Sequence, residues 1–409
     1  MEQKMEQNQL HSKKQTQFFY GQDVQQQIGL RLKAEGATSI LVVSDRKEFQ
    51  RTHWYQQLLQ SLQENGLRVC QYGGIKPQAE LEDIEAGIAR CKQQQIDWII
   101  AVGGGTVIDG AKAIAMGAVC DHCIWQYFTT AQKPKKALPV SVLLTMPGSG
   151  SENNDQTMIY NADTLLKLTC RSSVLEPRHC FVNPEIFTTI PKMQLAQTMV
   201  LMLHRLICAY LLQVHAGQSL GQLQKLEQRM ATLMRKARSL QQNRFDEMAW
   251  MELVLLDSRR DDGFSGELQE DSCQRMAAEL SAMCDVPYAV VLAVLLPAWL
   301  RYIAQQNQQD LLVFAQRVMG ADPQLEPQQQ IQAGIDRLEA FFLQLGLPNT
   351  LCELGIEAFC FKNAAQICTG YGWGQEHPSG TIQPLYWQDL YKIYQSVYRR
   401  PVLEETCSA

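Results

Sequence analysis

An α/β dinucleotide-binding (Rossmann-like) domain followed by an all-α domain is the fold class this sequence predicts, on three observations. An apolar run ends in Gly103, Gly104 and Gly105 and turns straight into an alanine-rich segment, residues 101–115. Before Asn183, short apolar strands alternate with helix-length segments, the pattern of a parallel sheet wound with helices. After Pro191 the pattern changes to long stretches with apolar residues at helical spacing. The expected division is residues 1–184 for the α/β domain and 185–409 for the helical one, and 409 residues suffice for two separate cores.

Taken in order, residues 1–17 are polar and Gln-rich with no apolar centre, so they read as a disordered or weakly docked arm rather than a signal peptide. Residues 39–44, 67–72, 98–102 and 138–144 are candidate strands, with a helix expected over 81–94. Residues 156–170 read as strand, turn and strand, an inserted hairpin with Asn161 to Asp163 at its tip. Beyond it, residues 220–258, 273–284 and 310–319 carry helical spacing. The apolar run 286–300 is too short for a bilayer span and contains Pro297, so a buried helix is expected there. Gln-rich residues 328–332 read as a solvated helix face.

Composition narrows the classes. With 42 acidic against 37 basic residues the net charge is −5, and no basic excess marks a nucleic-acid partner. Thirteen cysteines without regular spacing argue for reduced thiols in a cytoplasmic protein, and because the longest apolar run is too short for a bilayer span, a soluble protein with no membrane partner is expected. Cys120 and Cys123 form the one close pair; zinc would need two further ligands, no second pair at this spacing exists, and a loop after a helix is expected.

The glycine turn is a phosphate cradle in form. Glycines let the backbone approach a pyrophosphate, and the N–H groups at the start of the next helix face the anion. Three glycines also serve as a bare tight connection, so the neighbours matter. Asp45 closes the first apolar strand, where a carboxylate can accept hydrogen bonds from ribose hydroxyls and repel a 2′-phosphate, favouring NAD over NADP. The adjacent Arg46 could instead accommodate that phosphate, and Asp45 could simply cap the next helix. A second glycine segment, residues 144–152, leaves another apolar strand and carries Thr145, Ser149 and Ser151.

Together the two segments resemble the iron-containing alcohol dehydrogenases, with patterns GGGSxxDxAK and TxPATGSE, and more closely their butanol dehydrogenase-like branch. The resemblance continues through residues 182–191 (LDPELTYTLP in the family), 204–210 (HxxEQY) and 286–297 (IPHGxxLAIVLP), over roughly the whole chain. It implies the dehydroquinate synthase-like fold, a homodimer, a nicotinamide dinucleotide and a small alcohol or aldehyde as partners, and cofactor contacts from Asp45, Gly103, Gly104, Gly105, Thr106, Asp109, Thr145, Ser149 and Ser151. Lys112 matches the same motif, and Thr106 replaces its usual serine.

The resemblance also implies one divalent iron or zinc, held by an Asp and three His, that polarises the substrate oxygen during hydride transfer. Here the four ligand positions carry Val200, His204, Gln274 and Tyr288, so one metal-competent side chain remains and no metal is expected to be held. After Arg205 the chain has only His215 and His377, both expected at the surface, so no shifted register rebuilds the set. Gln offers a neutral carbonyl oxygen and a phenol must ionise from about 10, both poor ligands. Ala278 replaces a further family histidine near the nicotinamide. His204 then reads either as a hydrogen-bonded leftover or, with Tyr288, as part of a metal-free site in which the phenol donates a proton while hydride arrives. The expected function is a nicotinamide-dependent oxidoreductase of alcohols and aldehydes with weak, altered or lost activity. The alternatives are a non-catalytic NAD(H)-binding regulatory or partner subunit, and an enzyme on another substrate such as a sugar phosphate.

Overall fold

Ser39–Ser44, Trp98–Gly103 and Val140–Leu144 are buried along their whole length. They read as unbroken apolar runs because strands inside a parallel sheet are covered on both faces. The computed structural model describes residues 16–45, 47–188, 190–241, 270–371 and 376–398. The chain divides into two compact units, one up to Ile190 and one from Pro191.

In the first unit the strands are β1 (Gln17–Tyr20), β2 (Ser39–Ser44), β3 (Arg68–Gly73), β4 (Trp98–Gly103), β5 (Val140–Leu144) and β8 (His179–Val182), in the order β1-β8-β5-β4-β2-β3 and all parallel. The crossovers carry α1 (Ile28–Ala34), α2 (His53–Glu64), α3 (Leu81–Gln94), α4 (Gly105–Ala118) and the single turn α5 (Gln126–Thr129). One core gathers Ile28, Leu32, Trp54 and Leu58 from the helices against Ile40, Val42, Ile100, Leu143 and Phe181 from the sheet. The expected hairpin is present as β6 (Gln156–Asn161) and β7 (Leu166–Arg171), paired antiparallel. At its turn the Asn161 Oδ1 accepts from the Asp163 N–H at 3.0 Å.

Several expectations shift. Gln17 does not belong to an arm: it opens β1 and pairs with His179, and residues 1–15 lie outside the described residues. β1 and β8 were not legible, because each has four residues, β1 follows a polar segment and β8 opens on a histidine. The first unit extends six residues past the expected boundary at 184, since Ile186 of the short helix α6 (Pro184–Phe187) packs into the α/β core.

The second unit is helical: α7 (Lys192–His215), α8 (Leu220–Gln241), α9 (Ser272–Cys284), α10 (Tyr288–Ile303), α11 (Gln308–Arg317), α12 (Pro327–Gln344), α13 (Cys360–Thr369) and α14 (Trp387–Ser396). The helix expected to reach residue 258 is described to Gln241, and the rest lies outside the described residues. As expected from its composition, α10 is buried almost throughout and carries Pro297 in its interior. It packs on α7, α9, α12 and α14. Among the described residues α7 alone is long and apolar enough to cross a membrane, but 78% of its apolar window is buried within the protein, as in a core helix. The Gln-rich start of α12 is not wholly solvated: Gln330 is buried, donates to the Leu325 carbonyl at 2.6 Å and accepts from Gln316 at 2.7 Å.

Candidate functional site

The chain leaves β2 toward β3 on one side and leaves β4 toward β5 on the other, so the crossovers diverge between the neighbouring strands β2 and β4. In an open α/β sheet a ligand is received beyond the carboxyl ends of the strands at such a switch point. Asp45 follows β2 and is exposed; Gly103 to Gly105 end β4 and open α4. No side chain caps α4 and its first turn holds no acidic residue, so its N–H groups and partial positive charge are left for an anion.

The glycines are required by close packing as well. A Cβ at Gly103 would meet Val107 side-chain carbon at 2.5 Å, and one at Gly105 would meet Ser149 Cβ at 2.6 Å. A Cβ at Gly104 would meet Met146 Cβ at 3.3 Å, a tight approach but less severe than the other two. The two glycine segments are thus pressed together, and the Thr145 N–H ties them by donating to the Gly103 carbonyl at 3.1 Å. Gly148 and Gly150 turn the second segment with φ of 113° and 73°, and Ser149 Oγ accepts from the Ser151 N–H at 3.1 Å.

Three motif side chains serve the scaffold. Thr106 donates its hydroxyl to the Pro77 carbonyl at 3.2 Å. Asp109 accepts from Ser151 and from the Met158 backbone, and burial pushes its carboxyl up to about 6 against the pull of Lys112. Lys112 is fully buried and donates to the Asn154 backbone carbonyl at 2.9 Å, its side-chain oxygen at 3.0 Å and the Gln156 carbonyl at 2.9 Å. Burial draws this ammonium down to about 8, with Asp109 opposing. A motif match does not distinguish a ligand contact from a strut under the hairpin.

In the helical unit, Val200 and His204 lie four residues apart on α7 and are both buried. His204 Nε2 lies 3.4 Å from Cys208 Sγ, and burial, followed by Arg205, brings the imidazole down to about 4. Tyr288 opens α10 partly exposed; burial raises its phenol strongly, and the neighbouring Cys273 and Cys208 add to the rise. Cys208 therefore stands beside His204 and among the groups that act on Tyr288. Cys208 and Cys273 escaped the sequence reasoning, although their places were signals: one follows His204 by a helical turn and the other precedes Gln274. Gln274 is partly exposed on α9 and Ala278 is buried on it.

Among the described residues no group of three or more His, Cys, Asp and Glu side chains could hold a metal ion. His215 pairs with Asp310 at 2.8 Å and His377 is exposed. Cys120 and Cys123 lie in a loop, where Cys120 Sγ contacts His122 Nδ1 at 3.1 Å and Cys123 Sγ faces Glu85 at 3.8 Å.

Residues 15–184 match the iron-containing alcohol dehydrogenase family and residues 265–398 match the C-terminal part of the Fe-containing alcohol dehydrogenase family. A probable NADH-dependent butanol dehydrogenase of Bacillus subtilis is 30% identical over 348 residues, covering 83% of this chain and 88% of its own. An NADPH-dependent aldehyde reductase of Escherichia coli is 28% identical over 340 residues, 80% of this chain and 85% of its own. The crystal structure of an NADH-dependent butanol dehydrogenase of Thermotoga maritima shares the fold with a TM-score of 0.87 at 24% identity, covering 94% of this chain and 97% of that one. With both parts of the family pattern matched in order along one chain, and with the glycine turn, the paired serine segment and the helical half behind them, this chain belongs to the iron-containing alcohol dehydrogenase family.

Proposed function

We propose that this chain binds NAD(H) on its α/β unit and retains weak or no alcohol/aldehyde oxidoreductase activity, because its helical unit does not fit the family's divalent metal. The donor set carries the proposal. Of the four positions that the family resemblance assigns to the metal, Val200 is aliphatic and buried, Gln274 is a neutral amide and Tyr288 is a phenol whose ionisation burial disfavours. His204 alone is a good ligand, and its Nε2 faces a thiol at 3.4 Å. The uncapped start of α4, the close-packed glycines and the exposed carboxylate of Asp45 support NAD(H) as the nucleotide. Relatives are named for NADH-dependent butanol and NADPH-dependent aldehyde chemistry, which supports small alcohols or aldehydes as substrates.

Reduction of an aldehyde takes a hydride from NADH and a proton from an acid. His204, at about 4, is neutral near pH 7 and lacks the imidazolium proton that would make it a useful acid. Tyr288 keeps its proton but, being raised, is a poor donor. General acid catalysis contributes typically ~10²–10⁴-fold when the acid is matched to the working pH, and neither group is matched. This mismatch favours a second reading, a non-catalytic NAD(H)-binding regulatory or partner subunit.

One assay separates them: a panel of small aldehydes with NADH and excess chelator. Turnover abolished by Tyr288→Phe supports metal-free reduction by the phenol. Turnover unaffected by Tyr288→Phe removes that mechanism, and no turnover alongside calorimetric binding of NAD+ supports the binding subunit. Absence of nucleotide binding overturns both.

A further inference from the structure

Cys284 and Cys360 are 76 residues apart in sequence, yet their sulfur atoms lie 3.8 Å from one another. Cys284 is the last residue of α9 and Cys360 the first of α13, two helices packed directly together. We propose that this pair is an oxidation site that hydrogen peroxide closes into an intrachain disulfide. The sulfurs must approach from 3.8 Å to about 2.05 Å. Side-chain rotation at two helix ends supplies that movement more readily than two helix interiors would.

Cys284 is partly exposed while Cys360 is 8% exposed, so peroxide reaches Cys284 first. One peroxide oxygen transfers to its sulfur, giving a sulfenic acid and one water. The Cys360 sulfur then attacks the oxidised sulfur, the S–O bond breaks, the S–S bond forms and a second water leaves with the remaining thiol proton. The peroxide is reduced by two electrons and each sulfur supplies one. Burial, with Cys360 beside it, pushes the Cys284 thiol up to about 12, so the first step draws on a small thiolate fraction and is slow.

The link has a structural consequence. α9 carries Gln274 and Ala278, and the three residues after Cys284 lead directly into Tyr288, the first residue of α10. Oxidation would fasten the end of α9, and the turn that presents Tyr288, to α13.

The full chain is treated with hydrogen peroxide, remaining thiols are alkylated, and non-reduced digests are mapped by mass spectrometry. The expected product is a peptide pair joined through Cys284 and Cys360, two hydrogens lighter than its parts and released by a dithiol reductant. Cys284→Ser and Cys360→Ser each abolish it, and Cys352→Ser leaves it in place. Conversion of Cys284 to sulfinic acid without a link, a link joining either residue to another cysteine, or oxidation elsewhere with this pair untouched overturns the proposal. Should a serine variant fail to fold, the wild-type map decides by itself.

Discussion

His204 Nε2 lies 3.4 Å from the sulfur of Cys208, one turn further along the same buried helix, so the imidazole faces a neutral thiol where a charged partner would be needed to hold its proton. Its folded value of about 4 against an ordinary 6.5 makes it a stability determinant. Below pH 6.5 the unfolded chain takes up a proton that the folded chain refuses, so stability present above 6.5 is lost as pH falls toward 4 and levels off beyond it. The full effect is up to ~3 kcal/mol, and on the order of 2 kcal/mol by pH 5. Urea unfolding at pH 7 and pH 5 should show wild type losing more stability than His204→Leu. Equal losses would remove this account.

Metal content should answer to the donor set. Purified wild-type protein is expected to hold iron and zinc well below one per chain by elemental analysis. The triple change Val200→Asp, Gln274→His and Tyr288→His is expected to raise metal binding only in part, since groups that orient each ligand typically contribute ~10–100-fold in affinity or activity. One tightly held metal per wild-type chain, lost on His204→Ala, would contradict the proposed function.

The glycines should rank by their surroundings. Gly105→Ala puts a Cβ 2.6 Å from Ser149 Cβ and forces the serine segment to move, whereas Gly104→Ala finds Met146 at 3.3 Å. Overpacking of the first kind costs about 1–3 kcal/mol, so NAD+ affinity is expected to fall roughly tenfold or more in Gly105→Ala and less in Gly104→Ala. Titration calorimetry on both variants, with Asp45→Gly tested for a weakened preference for NAD over NADP, checks the assignment. An undiminished affinity in Gly105→Ala would place the nucleotide elsewhere.

Glu270 fastens two distant stretches of the helical unit. Its buried carboxylate accepts from the Ser272 N–H at 3.0 Å and hydroxyl at 2.5 Å, and from the N–H groups of Thr381 at 2.8 Å and Ile382 at 2.9 Å. Glu270→Ala leaves buried donors without their acceptor and is expected to cost about 2–4 kcal/mol, with Glu270→Gln milder because one oxygen remains. Thermal unfolding measures it; a change within ~0.5 kcal/mol would mean that water replaces the carboxylate.

Much of what depends on neighbours within about ten residues was legible in the sequence, the four-residue strands β1 and β8 excepted. The apolar runs of β2, β4 and β5, the helix over residues 81–94 and the hairpin after residue 156 are local patterns of burial, and a period of two or 3.6 records which face is covered. The residue types at Val200, Gln274 and Tyr288 needed no structure either, since a side chain's donor atoms are fixed by its chemistry. Tertiary structure alone decided that Gln17 pairs with His179 at the sheet edge, that Asp109 and Lys112 brace the hairpin, that Cys208 and Cys273 act electrostatically on Tyr288, and that Cys284 meets Cys360. Each of these joins residues far apart in the chain. Their meeting is set by how whole helices and strands pack, and no local periodicity carries that information.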